Sequence, residues 1–306
     1  MGIQRVESVV YAVDDLETCC RFFDDVGLAT VRRDETEAVF ATLTGQTVVL
    51  STTPDPLLPP ALEKTPTVRE VIWGVDTTES LRGLVAALAA DRPVREDEHG
   101  VFHTVDESGF GLGLTLAAPT AIEQPDPRDA NSLGRVARLN EPLHSVGPVH
   151  PLRICHVALN IVKQGREAAV ALYTDRLGFI ATDIVKPMGV FLRAPGDQDQ
   201  HTFLLCHRPD RAGMNHISLE VPTFDHVIEG VNVLIERGWP EARRLGRHTI
   251  GSNVFRFVHA PCGGRVEFAA DMDRVDDSYG TRVHETAPPH HIWTLRSSRD
   301  PVDVGP

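Results

Sequence analysis

The sequence predicts an α+β fold built from repeated β-α-β-β units, arranged in two pairs around a linker. Short alternating apolar runs outnumber the amphipathic helical stretches. One supersecondary pattern recurs four times, with starts near residues 5, 69, 153 and 213, mostly about sixty residues apart. Between the second and third copies lies a stretch rich in Pro, Asp, Arg and Asn that has no sustained periodicity. At 306 residues the chain has room for two domains of about 150 residues each. The expected division is residues 1–118 for the first pair of units, 119–151 for the linker, 152–273 for the second pair and 274–306 for a polar tail.

In the first unit, residues 5–13 alternate as a strand, and Asp14 and Asp15 cap a helix over Leu16–Val26 that stops at Gly27. Strands follow at 38–43 and 46–51, with Thr44-Gly45 as the turn. The second unit reads as strand 68–75, helix 80–90, and strands 101–106 and 110–117. The third reads as strand 152–161, helix 165–176, and strands 181–185, 189–194 and 202–206. The fourth reads as strand 213–221, helix 224–237, and strands near 242–247, 254–259 and 265–269. Each unit has room for a third strand after its helix. The glycine run Gly109–Gly113 leads into strand residues rather than a helix, so it is a glycine-containing strand and not a phosphate loop.

The formal net charge of −13 argues against a nucleic-acid surface, because phosphate contacts need clustered Lys and Arg. No run of about 18 apolar residues exists to span a membrane, and residues 1–13 read as a strand rather than a signal peptide. Five cysteines show no disulfide spacing and no CxxC, which points to reduced packing residues and a cytoplasmic location.

The chemistry concentrates in the second half. His156, His216 and Glu267 each interrupt a different apolar strand run. Two histidines and one carboxylate are the parts of a facial site that holds one face of an iron(II) ion and leaves other positions open. The repeats supply a control. Aligned by sequence, Ser8 falls at the place of His156 and Val71 at that of His216, and the run 111–116 offers no carboxylate opposite Glu267. The first half therefore reads as a scaffold without ligands. The pair His290-His291 in the proline-flanked tail reads as solvated surface, and the end of the tail as loose.

The second half resembles the type I extradiol ring-cleavage dioxygenases of the vicinal oxygen chelate superfamily. The resemblance rests on His156-Val-Ala-Leu, Tyr173-Thr-Asp-Arg-Leu-Gly-Phe, Gln200-His201-Thr202, Asn215-His216-Ile217-Ser218-Leu219-Glu220-Val221, Gly246-Arg247-His248 and the run from Phe255 to Glu267. It implies four βαβββ modules paired into two barrel-like domains, with Fe(II), or Mn(II), on His156, His216 and Glu267. It further implies a small aromatic diol and O2 as reactants, and a homo-oligomer in which the ligand-free first half serves assembly. His201 matches the family's histidine that exchanges protons with the diol, and His248 a position that hydrogen-bonds a substrate oxygen. There are two departures. Phe257 stands where many relatives carry a tyrosine, losing a phenol and enlarging the apolar part of the pocket. Thr249-Ile250-Gly251 replaces Thr-Asn-Asp, removing a carboxylate that could orient His248. A metal-dependent isomerase or lyase of the glyoxalase type, a drug-sequestering binding protein and cleavage of a hydroquinone are the alternative readings.

Overall fold

The computed structural model describes residues 2–52, 58–123 and 131–296. Four modules follow one another, each a strand, a helix and three more strands. The first is β1 (Ile3–Ala12), α1 (Leu16–Val26), β2 (Ala29–Arg33), β3 (Glu37–Ala41) and β4 (Thr47–Ser51); the second is β5 (Thr67–Val75), α2 (Thr78–Ala89), β6 (Arg95–Glu96), β7 (Phe102–Val105) and β8 (Gly111–Leu116). The third is β9 (Arg153–Val162), α3 (Arg166–Ala171), β10 (Ile180–Val185), β11 (Gly189–Arg193) and β12 (Phe203–Arg208). The fourth is β13 (Gly213–Glu220), α4 (Phe224–Glu236), β14 (Glu241–His248), β15 (Val254–His259) and β16 (Arg265–Ala270). The third strand that the sequence left room for is present in each of the first two modules, as β2 and β6.

Local chemistry explains the boundaries. Asp15 caps α1 by accepting the Thr18 amide at 2.9 Å, and Gly27 ends the helix in the left-handed region at φ 90°. Thr77 caps α2 in the same way. The expected helix over 165–176 is regular only to Ala171 and then widens into a π-helical turn, Leu172–Arg176. That turn places Tyr173 so that its hydroxyl donates to Asp106 Oδ2 at 2.9 Å in the other half.

Modules pair through their first strands. β1 runs antiparallel to β5, and β9 antiparallel to β13. The last strand of each module then lies parallel to its first, as in β1·β4 and β13·β16. The results are an eight-stranded sheet, β2-β3-β4-β1-β5-β8-β7-β6, and a ten-stranded sheet whose inner eight strands run β10-β11-β12-β9-β13-β16-β15-β14. The two added edges come from the tail, β17 (Arg282–His284) and β18 (His291–Thr294). The tail's strands thus hold both edges of the second sheet, and the end of the tail, expected to be loose, lies outside the described residues.

One continuous core joins the halves. Trp73 of the first half stacks edge-on against Phe179 and Phe203 of the second, at 4.9 and 5.2 Å between ring centroids. Such pairs contribute about 0.5–1.5 kcal/mol each beyond burial. Among the described residues no helix is long and apolar enough to cross a membrane.

Candidate metal centre

β9, β13 and β16 are neighbours in the middle of the second sheet, so a side chain from each can meet on one face. Register makes them meet: Ser218 pairs with both His156 and Glu267, and His216 lies two residues from Ser218 on the same face. His156, His216 and Glu267 are all buried. Their Nε2, Nε2 and Oε2 atoms are mutually close, at 3.0 Å between the imidazoles and 3.1 and 3.5 Å to the carboxylate. β16 is an interior strand, not an edge, and Glu267 is fully removed from solvent.

These residues fit a divalent cation. Glu267 Oε2 is buried without a hydrogen-bond partner among the described residues, a costly state for an anion unless a cation meets it. Adjacent octahedral ligands at about 2.1 Å from a metal sit about 3 Å apart, which is the spacing found here. The second ring nitrogen of His216 is held, since Nδ1 donates to Asn215 Oδ1 at 2.9 Å and leaves Nε2 with its lone pair facing the centre. Charge states agree as well. Burial is the largest influence on His216 and drives its pKa well below 6.5. Burial alone would raise Glu267, but His156 and His248 beside it hold its carboxyl well below 4.5. A neutral imidazole and an ionised carboxylate are the forms that bind a metal.

The surrounding shell completes the centre. His201 is buried, its ring 4.4 Å from that of His156, and its Nδ1 donates to Gln200 Oε1 at 2.6 Å. Burial, then the neighbouring His156, push its pKa well below 6.5, so it enters any reaction neutral. His248 stacks on Phe255 at 3.9 Å and brings Nε2 to 3.6 Å from Glu267 Oε1. In place of the missing carboxylate, His248 Nδ1 lies 3.4 Å from the carbonyl of His290. The expectation of a solvated His290-His291 pair holds for His290, which is exposed, but His291 is half-buried. β18 pairs with β14, placing His291 against His248, and imidazole nitrogens of His248, His290 and His291 lie within 4.8 Å of one another. A local sequence reading has no access to that pairing.

Phe257 lines the cavity. Its ring meets His216 edge-on at 5.2 Å, but the Arg243 and Arg265 guanidinium carbons each lie 5.4 Å from its centroid. The neighbourhood of the lost phenol is therefore cationic. Asn253, not singled out in the sequence, donates from Nδ2 to Glu267 Oε1 at 3.1 Å and is fully buried. An asparagine five residues beyond the Gly246-Arg247-His248 run carries no local signal of this role. The open side of the centre is a cavity of about 310 Å³ lined by His156, His201, His216, His248 and Phe257 among others.

Strand register also corrects the comparison between repeats. Ser8 pairs with Ile72 as His156 pairs with Ser218, so Ser8 does stand in the place of His156. The counterpart of His216, two residues before Ile72, is Glu70 rather than Val71, and Gly113 stands at Glu267. The pairing shifts at Val6/Ser8 and Val10/Tyr11 recur in the second half at Ser218/Leu219 and Met214/His216, so the halves align without a gap once strand pairing sets the offset.

Residues 153–268 match the Glyoxalase/Bleomycin resistance protein/Dioxygenase superfamily, so the second half of the chain is a domain of that superfamily. Among characterised relatives, the chain is 32% identical over 189 residues to metapyrocatechase 2 of Cupriavidus necator, covering 62% of this chain and 58% of that protein. The chain thus spans little more than half the length of this relative. The fold is shared more widely. A Mn(II)-bound glyoxalase from Novosphingobium aromaticivorans superposes with TM-score 0.73 at 21% identity, over 94% of this chain and 89% of its own. BphC, a halotolerant catechol dioxygenase, superposes with TM-score 0.73 at 16% identity, over 97% and 96%.

Proposed function

We propose that the protein is an extradiol dioxygenase that opens the ring of a catechol with O2, using Fe(II) held by His156, His216 and Glu267. The supporting observation is the convergence of those three buried side chains, with the neutral His201 beside them, on one cavity. Two imidazoles and one carboxylate on one face, with an open side, are the ligand set of oxygen-using iron(II) sites. When bound, the metal supplies Lewis acidity toward the diol and redox access to dioxygen.

The chain's own groups account for the proton movements. Gln200 fixes Nδ1–H of His201, which leaves Nε2 to take a proton from a diol hydroxyl and return it as the ring opens. His248, held by stacking on Phe255, would donate from Nε2 to a substrate oxygen. Phe257 and Phe191 close the cavity wall against water. Glyoxalase-type chemistry has less support, because no Asp or Glu other than Glu267 approaches the centre among the described residues. Five free, buried cysteines accord with a reducing, cytoplasmic setting. Residues 1–118 and 152–273 would act as scaffold and catalytic domains, and the exposed edge strand β2 is a candidate contact for a homo-oligomer.

Oxygen uptake by anaerobically Fe(II)-loaded protein with a panel of catechols, read beside the product spectrum, tests this. Wild type consumes O2 stoichiometrically and yields a coloured ring-opened product. His156→Ala abolishes both and lowers bound iron; unchanged iron content and uptake in that variant would end the proposal.

A further inference from the structure

Strand directions give the cavity two different ends. β14 and β16 begin, and β12 ends, at the same end of the second sheet. Each contributes an arginine there: Arg243 near the start of β14, Arg265 at the start of β16 and Arg208 at the end of β12. All three line the cavity, and the described carboxylate that faces it is Glu267, the candidate metal ligand, which is not within ion-pair distance of any of them. His248 lies at the opposite end of β14, with His290 beside it.

None of the three guanidinium groups is within ion-pair distance of a carboxylate among the described residues. Arg265 donates to Asn215 Oδ1. Arg208 donates to the His207 carbonyl at 3.2 Å, and its buried Nε has no partner. Arg243 has the face of Phe257 beside it, 5.4 Å from the ring centroid, a partial offset for a cation. Like charges gathered in a water-poor cavity repel and remain under-solvated, and an anion placed among them relieves both costs. A planar carboxylate matches the guanidinium fork through paired hydrogen bonds, and about 310 Å³ suits a single ring with a short substituent.

We propose that the substrate is a catechol carrying an anionic ring substituent, in the simplest case a carboxylate, which docks among Arg208, Arg243 and Arg265. The diol part of this statement rests on the dioxygenase reading; the anion site rests on the arginines alone. Phe257, in place of a tyrosine, leaves the arginines a ring face to lie against and no phenol to compete for the anion.

The test compares a carboxymethyl-substituted catechol with its methyl ester on Fe(II)-loaded protein, in parallel with binding of phenylacetate against phenylacetamide under argon. The expected kcat/KM preference for the carboxylate over the ester is roughly ten- to a hundred-fold, the size of one charge-assisted interaction. Arg243→Gln and Arg208→Gln each shrink that ratio, and Arg243→Lys restores much of it. Two variants on separate strands guard against a folding defect in either. Cleavage of the ester as efficiently as the carboxylate overturns the anion site and leaves the dioxygenase reading intact. Arginine-dependent binding of phenylacetate without any ring cleavage supports the anion site and overturns the dioxygenase. Absence of both overturns the two together.

Discussion

The two halves of the molecule share strand order and pairing, yet the same structural places carry different chemistry. Where the second half has His156, His216 and Glu267, the first has Ser8, Glu70 and Gly113. Ser8 is satisfied by Thr47, whose hydroxyl donates to it at 2.8 Å. Glu70 is buried like His216, but its Oε1 lies 2.8 Å from His103 Nδ1, and His103 Nε2 lies 3.2 Å from Asp97 Oδ2. His103 itself stands in the place of Phe257, since Gly113 pairs with His103 as Glu267 pairs with Phe257. In the first half polar side chains pair with one another; in the second they point at a common centre, and Glu267 Oε2 has no hydrogen-bond partner among the described residues. Burial is similar in both, so what separates the first set from the candidate metal centre is whether the polar atoms can neutralise each other.

Even Gln46 fits this contrast. It stands one residue before Thr47, as His201 stands one before Thr202, yet its amide is spent on structure. Nε2 donates to the carbonyls of Val6 and Ile154 at 2.8 and 2.9 Å, and Oε1 accepts the Ile154 amide at 2.8 Å. Bonds that cross from the first half to the second hold β9 in place beside His156.

The comparison can be broken most severely at Gly113. A Cβ there would stand 2.7 Å from Ile72 Cγ1 and 3.2 Å from Glu70 Oε1. Gly113→Glu, which copies the carboxylate of the second half, is expected to cost more than about 3 kcal/mol through overpacking and a second buried anion. Denaturant midpoints measure this, and a folded Gly113→Glu protein of wild-type stability would show that the first half is not closed to a ligand.

A smaller effect is expected where the second half supports its carboxylate. Asn253→Ala removes the bond to Glu267 Oε1 and should weaken metal affinity roughly ten- to a hundred-fold while leaving the fold cooperative. Competition with a chelator reads this, and unaltered affinity would remove Asn253 from the centre.

The mildest probe is the pH response of the first half. Burial acts to pull His103 down, but Glu70 and Asp97 together hold its pKa above 6.5. The native state therefore keeps this proton longer than the unfolded chain. Its stabilisation is fully present below pH 6.5 and fades as pH rises through the native value above it. Unfolding in urea at a series of pH values from 6 upward should show this loss, about 1 kcal/mol or less, and His103→Gln should flatten it. An equal slope in the variant would assign the pH response to other groups.

The recurrence of one apolar pattern by itself determined the fold. Alternating runs can bury one face only by pairing as strands, and their repetition repeats the module. The positions of His156, His216 and Glu267 were legible for the same reason, since each interrupts an apolar run with a ligand-type side chain. Other features were decided by tertiary structure. Strand pairing sets the true offset between the repeats, so Glu70 rather than Val71 stands in the place of His216. Pairing of β18 with β14 brought His290 and His291 to His248 across more than forty residues. Arg208, Arg243 and Arg265 read singly as ordinary surface cations, because an arginine's partner, or lack of one, depends on which strands curl around it. Local sequence carries a residue's own chemistry and periodicity; which groups share a low-dielectric cavity, and which stay unpaired there, depends on contacts between strands far apart in the chain.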